Sequence, residues 1–351
     1  MKIQEQKDFD SLQTKIESLP PTVKDYVHYK LSENLSPSSL LEYSRDYEFF
    51  FSWMIMEIMP DIKRILEITI NHLEQLNLKN IVDYESYLRV VEGNKERTIA
   101  RKLQSLRSLF NYLHDVAVNT EGEPLLRKNV FRKITSKRLT DPLSTARAIQ
   151  KKVLVSDESE DFINYIRTGY RVENSTNLQA LWFYDLNNLR DICIISLMLK
   201  TGLLVSDIVN MNLSDVSLQH KQITIIRQGA GLRSTHIVLF SNSISEDLVN
   251  YLNVREKKYR PEINEKAFFL AIPNGRTIGN RITKRAIQVL VNKYSAKYGK
   301  PEVTTRQLRY SFGLEYQNKS DFVQTKQQLA LRNIENTEKY ELLSKMLGLE
   351  T

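Results

Sequence analysis

Thr304-Thr305-Arg306-Gln307-Leu308-Arg309-Tyr310, followed about thirty residues later by Asn336-Thr337-Glu338-Lys339-Tyr340, is the part of this 351-residue chain from which the rest is best read. It sets an arginine pair on one helix and a lone tyrosine on a later, polar helix. Those side chains suit a site that neutralises a phosphodiester and attacks it. Upstream, Thr201-Gly202 closes a strongly helical stretch, Asn187 to Lys200. Two β-rich runs, Gln222-Ile223-Thr224-Ile225-Ile226 and His236-Ile237-Val238-Leu239, flank Gln228-Gly229-Ala230-Gly231, which is a hairpin signature. From Thr277 to Tyr298 the pattern is again helical.

Composition narrows the classes. With 41% apolar and 26% charged residues the chain reads as globular and long enough for two domains. The longest apolar runs, Phe49 to Met59 and Ile192 to Met198, are too short to span a bilayer, and Met1 to Asp10 does not read as a secretory signal, so a cytoplasmic location without membrane association is expected. Cys193 is the single cysteine, which leaves no disulfide framework and no thiolate metal site within one chain; it reads as a small core residue. The five histidines have no ligand spacing, and neither metal nor cofactor is expected. The formal charge is +8, and Lys95 to Lys152 alone carries 14 Lys+Arg against 5 Asp+Glu. Positive charge gathered in one stretch suits a nucleic acid backbone.

In the first half, a polar lead-in ends at Pro20-Pro21, and Ser36-Pro37-Ser38-Ser39 starts a helix with Tyr43, Tyr47, Phe50, Phe51 and Met54 as an apolar stripe. A further helix is expected over Ile81 to Val91. From Glu96 to Val116 the pattern places Ile99, Leu103, Leu106, Phe110 and Leu113 on one face, and Arg97, Arg101, Gln104, Ser108 and Asn111 on the other. Such a basic, amide-bearing face is suited to a DNA groove. Lys133 to Lys152, with Lys137, Arg138 and Arg147 around Pro142, shows no sustained apolar face and reads as a linker.

The order of features, a Thr-Gly helix turn, a glycine-tipped hairpin, the Arg306/Arg309 pair and then Tyr340, resembles the tyrosine recombinases of the phage-integrase family, Xer type. Thr98-Ile99-Ala100-Arg101-Lys102-Leu103 through Asn111-Tyr112-Leu113, with Glu121-Gly122-Glu123-Pro124 and Asn129-Val130, is similar to the same group. The resemblance implies a mainly α protein: a helical N-terminal core-binding (SAM-like) domain and an α-rich C-terminal catalytic-type domain with a small antiparallel β-hairpin or sheet. The expected division is a lead-in at 1–22, the core-binding domain at 23–132, a basic linker at 133–155, and the catalytic-type domain with its tail at 156–351.

The family's catalytic set implies one role per position. Tyr340 stands at the nucleophile position and Arg309 at the second arginine. Four positions depart from the pattern: Leu204 replaces the first arginine, Gln228 the hairpin lysine, Arg306 a histidine, and Leu331 the last histidine. A neutral amide cannot serve as an acid at pH 7. Arg227, Arg233 and Arg332 flank the site, while Arg97, Arg101, Gln104, Arg107, Lys137 and Arg138 are expected to contact DNA. The resulting expectation is a double-stranded-DNA-binding member of the family with impaired or absent strand cleavage. Its alternatives are an active recombinase forming a 3′-phosphotyrosine through Tyr340, and a non-catalytic helical scaffold. The tail, Glu341 to Thr351, carries Leu342, Leu343, Met346, Leu347 and Leu349. The resemblance implies that it joins copies of the chain on DNA, against a cap on its own domain.

Overall fold

The computed structural model describes the chain apart from residues 1–2, 134–141, 156, 230–231, 274, 332–334 and 349–351. Two compact units emerge, one built on Met1–Leu139 and the other on Thr140–Arg227 and Ser234–Thr351. In the first, α1 (Ile3–Ile16), α2 (Pro21–Ser32), α3 (Pro37–Glu57), α4 (Ile70–Glu74), α5 (Leu78–Val90) and α6 (Glu96–Asp115) surround one core. Ser36 caps α3 through its Oγ, which accepts from the Ser39 N–H at 3.3 Å, and Pro37 takes the first helical position, where a missing N–H costs nothing. Tyr47, Phe50, Phe51 and Met54 of the aromatic stripe are buried together, as the spacing requires.

The lead-in is a correction to the sequence reading. Residues 3–16 are helical, and Leu12 and Ile16 enter the first core, so two buried apolar side chains near the end of a largely polar helix help dock it on α3. The apolar face of α6 is buried as expected. Its polar face is not uniformly exposed. Ser108 accepts a hydrogen bond from Tyr26 at 2.8 Å, and Asn111 accepts one from Asn129 at 2.8 Å. Both side chains serve the unit's own packing.

The second unit runs through α7 (Pro142–Gln150), α8 (Glu158–Asn164), a π-helical turn at Tyr165–Gly169, α9 (Tyr170–Glu173), α10 (Leu178–Thr201) and α11 (Val205–Asn210). It continues with β1 (Val216–Ser217), β2 (Gln222–Gly229), β3 (Leu232–Leu239), α12 (Asn242–Tyr259), β4 (Leu270–Ala271), β5 (Asn280–Arg281), α13 (Lys284–Lys297), α14 (Thr305–Lys319), α15 (Phe322–Gln328) and α16 (Glu335–Met346). The order β1-β2-β3 forms a three-stranded sheet, with Val216 opposite Ile223, and β4 pairs antiparallel with β5. This is the mainly helical fold with a small antiparallel sheet. Ile192 to Leu199 of α10 is buried on all sides, Cys193 included, which explains why that helix lacks a polar stripe. Gly202 ends α10 at φ +67°, a left-handed cap that glycine adopts without strain.

Two further expectations change, and the tail has contacts within its own chain. The helix read from Thr277 begins only at Lys284, because Asn280 and Arg281 pair with β4 and Thr283 supplies the cap, its Oγ1 accepting from the Ala286 N–H at 3.1 Å. The second half of the presumed linker is α7. Its Ala146 and Ile149, followed by Val153, pack in one buried cluster with Tyr310, Phe312, Tyr340 and Leu343. Three buried apolar residues across twelve positions are too sparse to register as a periodic face. The tail, in turn, packs on α7 and α14 of its own chain as far as it is described, with Leu343 buried and Leu342, Met346 and Leu347 against the same cluster. Among the described residues no helix is long and apolar enough to cross a membrane.

Truncating Leu343 to alanine removes buried apolar volume between α7 and α16. A loss of about 2–5 kcal/mol is expected in a urea titration of the intact chain. An unchanged midpoint would mean that the tail helix does not seat where described.

Candidate active site

Arg309 is the fixed centre of the second unit's polar pocket. It projects from α14, is buried, and donates to the carbonyl of Gly202 and, at 2.5 Å, to that of Leu329. The backbone at both ends of the pocket is therefore held by one guanidinium. A side chain at position 202 would meet Phe312 and Leu329, so the glycine is needed for close packing as well as for its left-handed backbone. Burial lowers the Arg309 pKa from its ordinary value, the Tyr340 side chain opposes the shift, and Arg227 adds to it.

The second guanidinium reaches the pocket from the hairpin. Arg227 on β2 donates to Asp207 at 2.6 Å and to the same Leu329 carbonyl at 2.9 Å. Asp207 is a buried acceptor at the start of α11, and it also takes the Leu204 N–H at 2.9 Å. Leu204 itself turns outward, 37% exposed. The carboxylate beside position 204 thus holds a cation that comes from another element. Arg227 Nε is buried without a hydrogen-bond partner, a cost of about 1–3 kcal/mol for such a group unless a ligand meets it.

Tyr340 lies on α16, 1% exposed, its ring packed on the bare backbone of Gly313. Burial raises the Tyr340 pKa from the usual phenol value, with Arg309 and Arg306 opposing. Tyr310 sits 5.7 Å away, ring centre to ring centre, and accepts from Arg306 Nε at 3.0 Å. Lys339 extends its Nζ to 5.1 Å from the Tyr310 ring centre and 5.5 Å from that of Tyr340. Burial, then Arg306 and Arg309, pushes its pKa down to about 8.

The pocket therefore collects Tyr340, Arg309 and Arg306, which the sequence singled out, together with Arg227, which it placed only at the margin. Leu331 is half-buried against the apolar cluster and contributes no polar group. The side chains of Gln228 and Arg233, and the residues Arg332, Lys137 and Arg138, lie outside the described residues. Lys339 was missed. Its only signal in the sequence is adjacency to Tyr340.

In the first unit Arg97 and Gln104 are exposed on α6, and Arg107 donates to Gln104 at 3.2 Å. Arg101 is exposed on the same helix and has a partner within the unit. It is bound two-pronged to Asp46 of α3 at 2.5 and 2.9 Å, and Lys102 and Ser105 join the same carboxylate. The pair ties an exposed charge on α6 to a buried carboxylate on α3.

A hairpin-borne arginine and a helix-borne arginine around a buried tyrosine, on a helical frame with a three-stranded sheet, define a catalytic-type domain of the tyrosine recombinase class. Residues 152–345 match the model of the phage integrase family, and the chain belongs to that family. It is 34% identical over 303 residues to the tyrosine recombinase XerS of Streptococcus uberis, covering 84% of this chain and 83% of that one. With XerS of Lactococcus lactis subsp. cremoris it shares 30% over 325 residues, 90% and 88% of the two chains. Among solved structures it is similar to the XerH site-specific recombinase bound to palindromic difH substrate in a post-cleavage complex, with TM-score 0.58, 16% identity, and 88% and 77% of the chains covered. These relatives make it a Xer-type member of the tyrosine recombinases.

Gly313 gives the tyrosine its seat. A methyl at 313 would stand 2.8 Å from Tyr340 Cζ, so Gly313→Ala must displace the ring. We expect a loss of about 1–3 kcal/mol in stability and faster nitration of Tyr340 by tetranitromethane, read by peptide mass mapping. Unchanged nitration would show that the ring is not held there.

Proposed function

We infer that the chain binds duplex DNA and holds one backbone phosphate between Arg227 and Arg309, with Tyr340 as the nucleophile of a strongly slowed strand cleavage. The observation that carries this reading is the convergence of the two guanidiniums on the Leu329 carbonyl, Arg309 beside Tyr340. A phosphate oxygen satisfies such donors and is the usual partner of paired arginines. Arg306 extends the positive rim. The relatives named above are recombinases, the solved relative is bound to its palindromic difH substrate, and a Tn1549 transposon integrase of similar fold is in complex with circular intermediate DNA, which supports duplex DNA as the partner.

Slow chemistry follows from what replaces the family's pattern. Arg227 restores a guanidinium that Leu204 cannot provide, so charge neutralisation survives in a shifted geometry. The lysine expected at Gln228 is absent, so a proton must come from a group placed on another element, and a catalytic group displaced by about 1 Å can cost on the order of 10²-fold. A working recombinase is the second reading, favoured by 30–34% identity to proteins named as recombinases. Assembly through Glu341 to Thr351 remains part of the proposal, but it requires α16 to leave its seat on α7.

The test begins with a duplex that the protein itself selects from a random pool. Affinity should fall about 10³-fold or more between 50 and 200 mM salt if six or more phosphates are engaged; a flat response removes phosphate recognition. On a nicked form of that duplex a covalent adduct should accumulate slowly and disappear in Tyr340→Phe, whereas adduct formation as fast as in the relatives establishes the second reading.

A guanidinium swap examines the pocket separately. Arg227→Gln should weaken binding and lower the salt slope by about one, and Leu204→Arg added to it should restore both. Failure of the double variant to recover would argue that Arg227 acts only as internal packing.

A further inference from the structure

When a tyrosine displaces a strand at phosphorus, the departing 5′-oxygen must acquire a proton, and a positioned acid speeds that step. Arg227, Arg306 and Arg309 do not release protons near neutral pH. Asp207 is an acceptor, bound by Arg227 and the Leu204 N–H. Lys339 differs from all of these. It immediately precedes Tyr340 on α16, is half-buried, and lies over the rings of Tyr340 and Tyr310 at 5.5 and 5.1 Å.

The geometry points to Lys339 as the proton donor to the leaving 5′-oxygen, a catalytic residue for the strand cleavage proposed above, on which this inference rests. The Tyr340 Oη–phosphorus bond forms as the phosphorus–O5′ bond breaks. One proton passes from the Lys339 ammonium to the 5′-oxygen, and the phenol proton goes to a water molecule. Lys339 is left as a neutral amine that solvent reprotonates.

The surroundings suit that task. Arg306, Arg309 and Tyr310 face it from α14, and Tyr340 shares its helix. Of the other elements packed on α16, α7 carries Arg147 and α15 carries Lys326, also cations. With its pKa near 8, the side chain is mainly ammonium at neutral pH yet more acidic than an ordinary lysine, which is the compromise general acid catalysis favours. The sign is direct: an acid works while protonated, so cleavage should decline as pH rises past about 8.

The experiment uses the intact chain and two nicked versions of its selected duplex, one with the ordinary 5′-oxygen at the scissile phosphate and one with sulfur bridging at that position. A thiolate leaves without needing a proton. Lys339→Arg keeps the charge and Lys339→Met keeps the length. We expect both to lose about 10²- to 10⁴-fold in adduct formation on the oxygen duplex and to recover the unsubstituted chain's rate on the sulfur duplex. The alkaline decline should vanish in Lys339→Arg. If either variant matches the unsubstituted chain on oxygen, Lys339 is not the donor. If the unsubstituted chain reacts only with sulfur, the proposal falls while Tyr340 stands as nucleophile. If it reacts with neither duplex, both fall.

Discussion

A buried guanidinium that donates to two backbone carbonyls is the constraint on which the second unit depends. Arg309 ties the end of α10, through Gly202, to the end of α15, through Leu329, and α14 carries it between them. A charge removed from water is tolerated only when its donors are met, and backbone oxygens meet some of them without cancelling the charge. The pocket consequently stays electropositive while its walls stay fixed. The elements that close it, the glycine turn, the hairpin strand and the tyrosine helix, all pack against α14 or what α14 holds.

Charge in this pocket comes from more than one element. Asp207 is placed to hold a cation near the turn after Gly202, and with Leu204 turned outward the cation arrives from β2 as Arg227. The same carboxylate then serves a different chain segment. A guanidinium of fixed shape carries its donors to the site from either direction. Proton transfer is less forgiving, because it needs a group whose pKa lies near the working pH, and among the residues named in the pocket Lys339 is the one that burial and two arginines have brought there.

The sequence was most legible where a period or a cap fixes local structure: Ser36 before α3, the apolar face of α6, the glycine after α10, the two strands about Gly229. It was less legible where a distant partner decides. Arg101 is a surface cation as read, but its pairing with Asp46, 55 residues away, left no local signal. The helix α7 looked like a linker because only Ala146 and Ile149 within it are buried, against an element nearly two hundred residues later. Leu204 was read as a missing charge at one position, a reading that gave no hint that Arg227 pairs with Asp207. Lys339 was invisible for the same reason: its environment is built by α14, not by its neighbours in the chain. The family's pattern singled out Tyr340 and Arg309, and the contacts around them had to come from the fold.

The central claim is that two arginines from different elements grip one phosphate. Its most direct measurement is the salt dependence of duplex affinity for the intact chain and for a chain carrying Arg227→Gln with Arg309→Gln, each shown by circular dichroism to be folded. The account predicts a slope of log affinity against log salt that is shallower by about one in the double variant, for the single phosphate released. Equal slopes and equal affinities in two folded proteins would contradict it.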